Sequence, residues 1–313
     1  MIINKYFNFA FILVVCPIIV NLTGRIDVGR DEFVYGVTKL RNEIYVLCRT
    51  VSTETHVIRV FEDRNPFLHR QKIEIKEIEF PWDIGSSDKE NCLYVSDSDK
   101  ECFWKITRVT DDDHRIITRL RIYDAPFALS VTRDGRLLVV NSRASILMIY
   151  GSDAKNVQSI RLPKDIDNPR HAVETSIGNF IIIHEWMEEG NTRSRGRARN
   201  ALWAVSELTR DGEVVMRSFP SSSKKQTLRN PQYLLLDSDD QAYVADYENS
   251  RVILLGSDLR WKQILCPAKE EDEIRIRRPQ RLCYDEEKKE LIVGGDSQSG
   301  SGDGVHIYTL SRI

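Results

Sequence analysis

Cysteine is scarce: six thiols in 313 residues, with no Cys-x-x-Cys pair and no Cys/His spacing of a zinc finger. A disulfide-built scaffold and a structural zinc module are therefore not what organises this chain. Cys48, Cys92, Cys102, Cys266 and Cys283 read as buried thiols, Cys16 stands ahead of them in an apolar leader, and Cys92 with Cys102 is the one pair placed to bridge adjacent strands. An excess of one charge is also missing. Lysine and arginine number 45 against 47 acidic residues, a net charge of −2, which argues against a dedicated nucleic-acid binder although a local patch can defeat that average. With 41 % hydrophobic and 29 % charged residues the composition is that of an ordinary globular protein.

Long apolar runs are confined to the start. Residues 1–20 hold a single lysine and then an apolar stretch from Phe7 to Val20, shorter than the roughly 20 residues of a spanning helix and suited to a signal-peptide core. No small-x-small cleavage site follows, and Pro17 interrupts the run. A secreted or membrane-anchored location is the expectation and a cytoplasmic one the alternative. The tripeptide Asn21-Leu22-Thr23 is a glycosylation acceptor only in the secreted case.

What is abundant is repetition. Pro231 opens the apolar run Tyr233 to Leu236, the polar residues Asp237 to Asp240 hold a turn, Tyr243-Val244-Ala245 forms a second strand, and Arg251 to Leu255 a third. A proline is tolerated at the head of a strand, where its missing N–H costs least. The same template recurs at Pro81, Pro126, Pro169 and Pro279, and a copy without proline begins at Val34. The copies are spaced 47, 45, 43, 62 and 48 residues apart, the period of propeller blades. Fourth, outer strands are predicted over Gln71 to Ile75, Ile116 to Ile122, Val157 to Leu162, Glu213 to Phe219 and Trp261 to Leu265. The last unit has no room for one after Val305 to Leu310. Ile18 to Val28 is predicted to supply it, pairing antiparallel and closing the ring. The expected architecture is all-β: one six-bladed β-propeller of four-stranded antiparallel blades over residues 21–313, preceded by the leader 1–20.

Tyr243-Val244-Ala245-Asp246 followed by Asn249-Ser250-Arg251-Val252, with a partial copy at Tyr94-Val95-Ser96-Asp97, resembles the NHL-repeat family of six-bladed propellers. The resemblance spans about residues 34 to 310 and departs where Asn141, His184 and Gly295 replace or shift the aspartate. It implies that Asp97 and Asp246 have structural roles at strand ends. It also implies a propeller that presents one face to a partner, as in the substrate-reading ends of tripartite-motif ubiquitin ligases, some of which bind RNA. A related branch, the amidating lyase, is a zinc enzyme.

Candidate chemistry sits at the heads of the first strands, which read Tyr35-Gly36, Trp82-Asp83, Phe127-Ala128, Arg170-His171, Gln232-Tyr233 and Gln280-Arg281. Asp83 and His171 are good metal ligands, but two ligands do not make a site, and no Ser/His/Asp or Cys/His constellation can be assembled. As a binding rim the same positions offer aromatic faces on Tyr35, Trp82, Phe127 and Tyr233, with forked donors and amides on Arg170, Arg281, Gln232 and Gln280. The 62-residue interval marks a polar insertion in blade four that carries Arg193, Arg195, Arg197 and Arg199. With Lys224, Lys225, Arg229, Arg275, Arg277 and Arg278 it makes a basic sector, partly cancelled by Lys269 to Glu273, that would suit an acidic partner or RNA phosphate. The expectation is a monomeric, non-enzymatic scaffold with no cofactor, whose propeller makes no membrane contact and binds a protein partner. Single-stranded RNA is the alternative, and a metal-dependent propeller hydrolase or lyase the second alternative.

Overall fold

The computed structural model describes residues 18–29, 31–108, 115–122, 126, 128–186, 202–218, 227–266, 276–297 and 303–312. They form six four-stranded antiparallel sheets arranged as blades of a propeller. Blade I comprises β2 (Glu32–Leu40), β3 (Glu43–Thr50), β4 (Thr55–Glu62) and β5 (His69–Glu74). Blade II comprises β6 (Pro81–Ser87), β7 (Cys92–Asp97), β8 (Cys102–Arg108) and β9 (Arg115–Arg121). Blade III runs through β10 (Leu129–Val131), β11 (Leu137–Asn141), β12 (Ile146–Tyr150) and β13 (Asn156–Arg161). Blade IV has β14 (Ile166–Glu174), β15 (Phe180–Trp186), β16 (Leu202–Leu208) and β17 (Val214–Ser218). Blade V has β18 (Pro231–Leu236), β19 (Ala242–Asp246), β20 (Arg251–Leu255) and β21 (Trp261–Ile264). The predicted outer strands fall within two residues of β5, β9, β13, β17 and β21.

Blade VI joins the two ends of the chain. Its β22 (Ile276–Asp285), β23 (Glu290–Ser297) and β24 (Asp303–Arg312) are completed by β1 (Ile18–Asp27), as the sequence predicts. The pairing is antiparallel, with Val20 opposite Leu310 and Ile26 opposite Val305, and a bulge between Leu22 and Gly24 absorbs one extra residue.

Six hydrophobic clusters fill the wedges, one between each pair of neighbouring blades. Strand alternation explains how one strand feeds two of them. Tyr45 and Leu47 of β3 enter the wedge toward blade II, while Ile44, Val46 and Cys48 enter the wedge toward blade VI. Second strands therefore read as continuous apolar runs, because both their faces are buried. Tyr45, Tyr94 and Tyr243, at matching positions, are fully buried and reach partners with their hydroxyls: Glu43, the Ser152 carbonyl at 3.3 Å and Asp237 at 3.1 Å.

The conceivable Cys92 to Cys102 bridge does not form. Cys92 faces Thr107 and Cys102 faces Asp97, at opposite ends of one hairpin, and both remain buried free thiols.

Candidate functional site: the channel mouth

The anchor prolines do more than open strands. Without an N–H, a proline cannot complete the ladder, and register shifts fall between Pro81 and Asp83, Pro231 and Tyr233, and Pro279 and Arg281, with a matching one between Val34 and Gly36. The residue caught inside each bulge is Trp82, Gln232, Gln280 or Tyr35. A bulge re-aims its side chain, and these four turn toward the face where the inner strands begin, here the upper face. Asn168, Asn230 and Arg278 immediately precede Pro169, Pro231 and Pro279 and have φ of 42°, 50° and 49°. Asparagine tolerates this left-handed conformation best, so the turn into each strand is sharp.

Two repeat aspartates hold the approach to the mouth. Asp97 accepts the N–H groups of Glu79 and Phe80, each at 3.1 Å, and the indole N–H of Trp104 at 3.0 Å. Asp246 accepts the N–H of Arg229 at 2.7 Å, Asn249 Nδ2 at 2.8 Å and Arg251 Nε at 2.7 Å. These are the structural roles expected of a short carboxylate at a strand end.

Beneath the mouth, the residues one step further along the strands plug the channel. Asp83 is fully buried and faces Arg281 Nε at 3.2 Å as a charge contact rather than an aligned hydrogen bond. Its oxygens accept the N–H groups of Ile84 at 2.9 Å and Leu129 at 3.0 Å. Arg281 also donates to the carbonyls of Trp82 at 2.7 Å and Gln280 at 2.9 Å. His171 lies on the ring of Tyr233, centroids 3.9 Å apart, and its Nε2 donates to the Leu129 carbonyl at 3.4 Å. Burial raises the Asp83 carboxyl to about 6 against the opposing pull of Arg281, and burial, helped by Arg281, drops His171 to about 3. Near neutrality the plug is thus an ionised Asp–Arg pair beside a neutral imidazole.

Above the plug lie two hollows that share Trp82, Gln232 and Arg281 as walls. One, of about 210 Å³, adds Tyr35, Gln280 and Tyr247; the other, of about 140 Å³, adds Arg170, Pro169 and Ser142. The structure therefore gathers Tyr35, Trp82, Arg170, Gln232, Gln280 and Arg281 about one mouth. Tyr233 departs from the expectation of an exposed face: it is only 7 % exposed and stacks in the plug, because the residue after the bulged one turns inward. Phe127 and Arg193, Arg195, Arg197 and Arg199 lie outside the described residues, as do Lys224, Lys225 and Arg275. Of the remaining basic sector, Arg229 pairs with Glu248 at 3.5 Å and Arg278 lies over the Tyr247 ring.

Two arrangements escaped sequence reasoning. His184 stands where the repeat aspartate is expected, and its Nε2 accepts the Ser206 hydroxyl at 2.8 Å while Nδ1 donates to the Glu185 carbonyl at 2.8 Å. This resembles a nucleophile and base, but both residues are fully buried and Ser206 Oγ also accepts Arg217 Nε at 2.9 Å, so the pair secures a blade. The second is an acidic group on the opposite, lower face, Asp63, Asp285 and Glu290, with oxygens within 4.8 Å of one another. Lys39 and Lys288 approach Asp63 at 2.8 Å each and Lys39 also binds Asp285, so the cluster carries its own cations. Sequence separation hid both: His184 meets Ser206 only through the pairing of β15 with β16, and Asp63 meets Asp285 and Glu290 only where blade I abuts blade VI.

No protein-family model matches the chain, and no curated protein matches it in sequence. Solved structures do resemble it in shape. Virginiamycin B lyase from Staphylococcus aureus aligns over 94 % of this chain and 100 % of its own at a TM-score of 0.58 and 10 % identity. Hydrazine synthase from Kuenenia stuttgartiensis covers 92 % and 97 % at 0.61 and 11 % identity. An auxiliary nutrient-binding protein from Bacteroides thetaiotaomicron covers 90 % and 70 % at 0.60 and 12 % identity. At such identity the likeness is one of fold, shared by enzymes and a binding protein alike.

Proposed function

We propose that the chain is a non-enzymatic scaffold of the NHL type that presents its upper mouth to a macromolecular partner, a protein in preference to RNA. One observation carries this reading: bulges turn half-buried Tyr35, Trp82, Gln232 and Gln280 onto one mouth, while Asp83 and His171 lie beneath, engaged with Arg281 and the Leu129 backbone. Aromatic and amide groups around hollows are the chemistry of a protein hot spot. The NHL affiliation draws support from Asn249 and Arg251, both of which donate to Asp246 and so give that motif a physical purpose. The full chain used as bait, with and without nuclease, separates protein from RNA partners. Trp82→Ala is expected to weaken capture about tenfold or more while the protein still unfolds cooperatively; full capture by that variant and by Tyr35→Ala would place the partner elsewhere.

A metal-dependent hydrolase or lyase is the second reading. It is favoured by the Asp83 carboxyl, held at about 6 in the channel, in the range useful for acid–base work. Elemental analysis decides it: a stoichiometric calcium or zinc ion that survives dialysis and is lost in Asp83→Ala would put this reading first.

A further inference from the structure

The larger of these two upper hollows is walled by polar, uncharged groups whose bonding is only partly met by the described residues. Gln280 makes no side-chain hydrogen bond to any described residue, and neither do the hydroxyls of Tyr35 and Tyr247. Gln232 donates through Nε2 to Asn230 Oδ1 at 2.7 Å, which leaves its Oε1 accepting from none of the described residues. All four are half-buried, where an unmet polar group is costly unless a ligand or solvent completes it. The described charged groups nearby each have a contact of their own. Arg281 is bound to Asp83 and two carbonyls, Arg170 lies over Trp203, Arg278 over Tyr247, and Glu248 takes Arg229. Asp83 is sealed in the plug, and Glu248 at the rim accepts from Asn230 at 3.3 Å.

Among the described residues, the unmet groups of this mouth are uncharged, which suits an uncharged ligand better than a polyanion. The mouth selects for flat apolar faces carrying carbonyl acceptors. The Tyr35 and Tyr247 hydroxyls and the Gln280 amide are donors to carbonyls, and half-buried Trp82, stacked on exposed Phe80 with centroids 6.0 Å apart, adds an aromatic surface to the rim. An extended peptide in the polyproline conformation offers this combination, with its backbone carbonyls outward, prolyl faces to stack and little ordering entropy to lose. We propose, resting on the partner-binding reading above, that the mouth reads an extended, uncharged, proline-containing peptide segment laid across the two hollows.

The test uses the full chain and four probes: short capped peptides of proline alternating with uncharged residues, the same peptides with each proline replaced by alanine, oligouridylate, and a linear glucose oligomer. The proline peptides are expected to bind, with affinity changing less than about twofold between low and high salt. Trp82→Ala should weaken them about tenfold or more with cooperative unfolding retained, and Gln280→Leu about two- to tenfold without shifting the unfolding midpoint. Equal binding of the alanine peptides, binding only of oligouridylate with a steep salt dependence, binding only of the glucose oligomer, or binding of none overturns the proposal. Its failure is separable from failure of the scaffold reading: a captured protein lost in Trp82→Ala but indifferent to Gln280→Leu and to the proline peptides keeps the face and removes the peptide class.

Discussion

The two ends of the central channel are built from the same six strands and differ in how their polar groups are used. At the upper end, bulges lift Tyr35, Trp82, Gln232 and Gln280 out of the ladder, and the Tyr35 hydroxyl and Gln280 amide bond to none of the described residues. At the lower end the strands are regular and hydroxyls staple neighbours together. Thr38 Oγ1 donates to Ser86 Oγ at 3.0 Å, Ser86 Oγ to the Lys39 carbonyl at 2.7 Å, and Ser130 Oγ to the Ala172 carbonyl at 2.6 Å. A hollow of about 240 Å³ opens there as well, lined in part by Thr38, Ser86, Ser130 and Glu174. Its hydroxyls already hold the ring, and Glu174 holds Arg136 at 2.8 Å. Apart from Arg133, which lines it and bonds to no described side chain, the polar groups named in the lower hollow are thus spent on the ring.

The plug keeps the two ends distinct, and removing its charge balance is the strongest perturbation available. Arg281→Met leaves Asp83 buried beside no cation, and unpairing a buried charge costs about 3–5 kcal/mol. Urea unfolding at neutral pH should show a loss of that size. Because the variant can relieve itself by protonating Asp83, the deficit should shrink as the pH falls. A loss below about 1 kcal/mol would mean that Asp83 is satisfied by the Ile84 and Leu129 N–H groups alone.

Acid should act on the ring as a whole. Burial holds His171 at about 3, and His184 and His306 at about 4, against about 6.5 for an exposed imidazole. With the folded values depressed, the unfolded chain takes up protons first, so these histidines draw stability away as the pH falls below about 6.5. The loss continues until about 4 to 3, where the folded state protonates too. Asp83, raised to about 6, works in the opposite sense, since the folded state takes its proton first between about 6 and 3.8. Three groups outweigh one. The thermal midpoint should drop from pH 7 to pH 4, and a midpoint that rises over that window would place the histidines in contact with solvent.

Much of the ring was legible in the chain because its signals are local and repeated. The proline anchors, the Tyr-Val second strands and the missing last strand fix blade count and closure from patterns a few residues long. Which residue of a Trp82-Asp83 or Gln232-Tyr233 pair faces the mouth was not legible. That depends on the bulge, and the bulge depends on pairing with a strand more than ten residues away. Hence Trp82 and Gln232 line the mouth while Tyr233 turns into the plug. The Asp83 to Arg281 contact spans blades II and VI, and no short-range pattern announces it. His184 with Ser206 was hidden for a related reason, since a substituted repeat position reads as decay of the motif until its new partner is seen.

The smallest expected effect is the sharpest test of the difference between the two ends. Ser130→Ala removes a half-buried donor from the lower collar and leaves the Ala172 carbonyl short of a partner, which should cost about 1 kcal/mol in urea unfolding. Gln280→Leu removes an amide of the upper mouth that bonds to nothing described, so stability should stay within about 0.5 kcal/mol of the parent. Binding should respond the other way round: Ser130→Ala leaves the affinity for a mouth ligand unchanged, and Gln280→Leu lowers it. If Gln280→Leu instead lowers the unfolding midpoint as much as Ser130→Ala does, the amide is part of the ring's own bonding. The two ends of the channel would then differ in shape but not in kind.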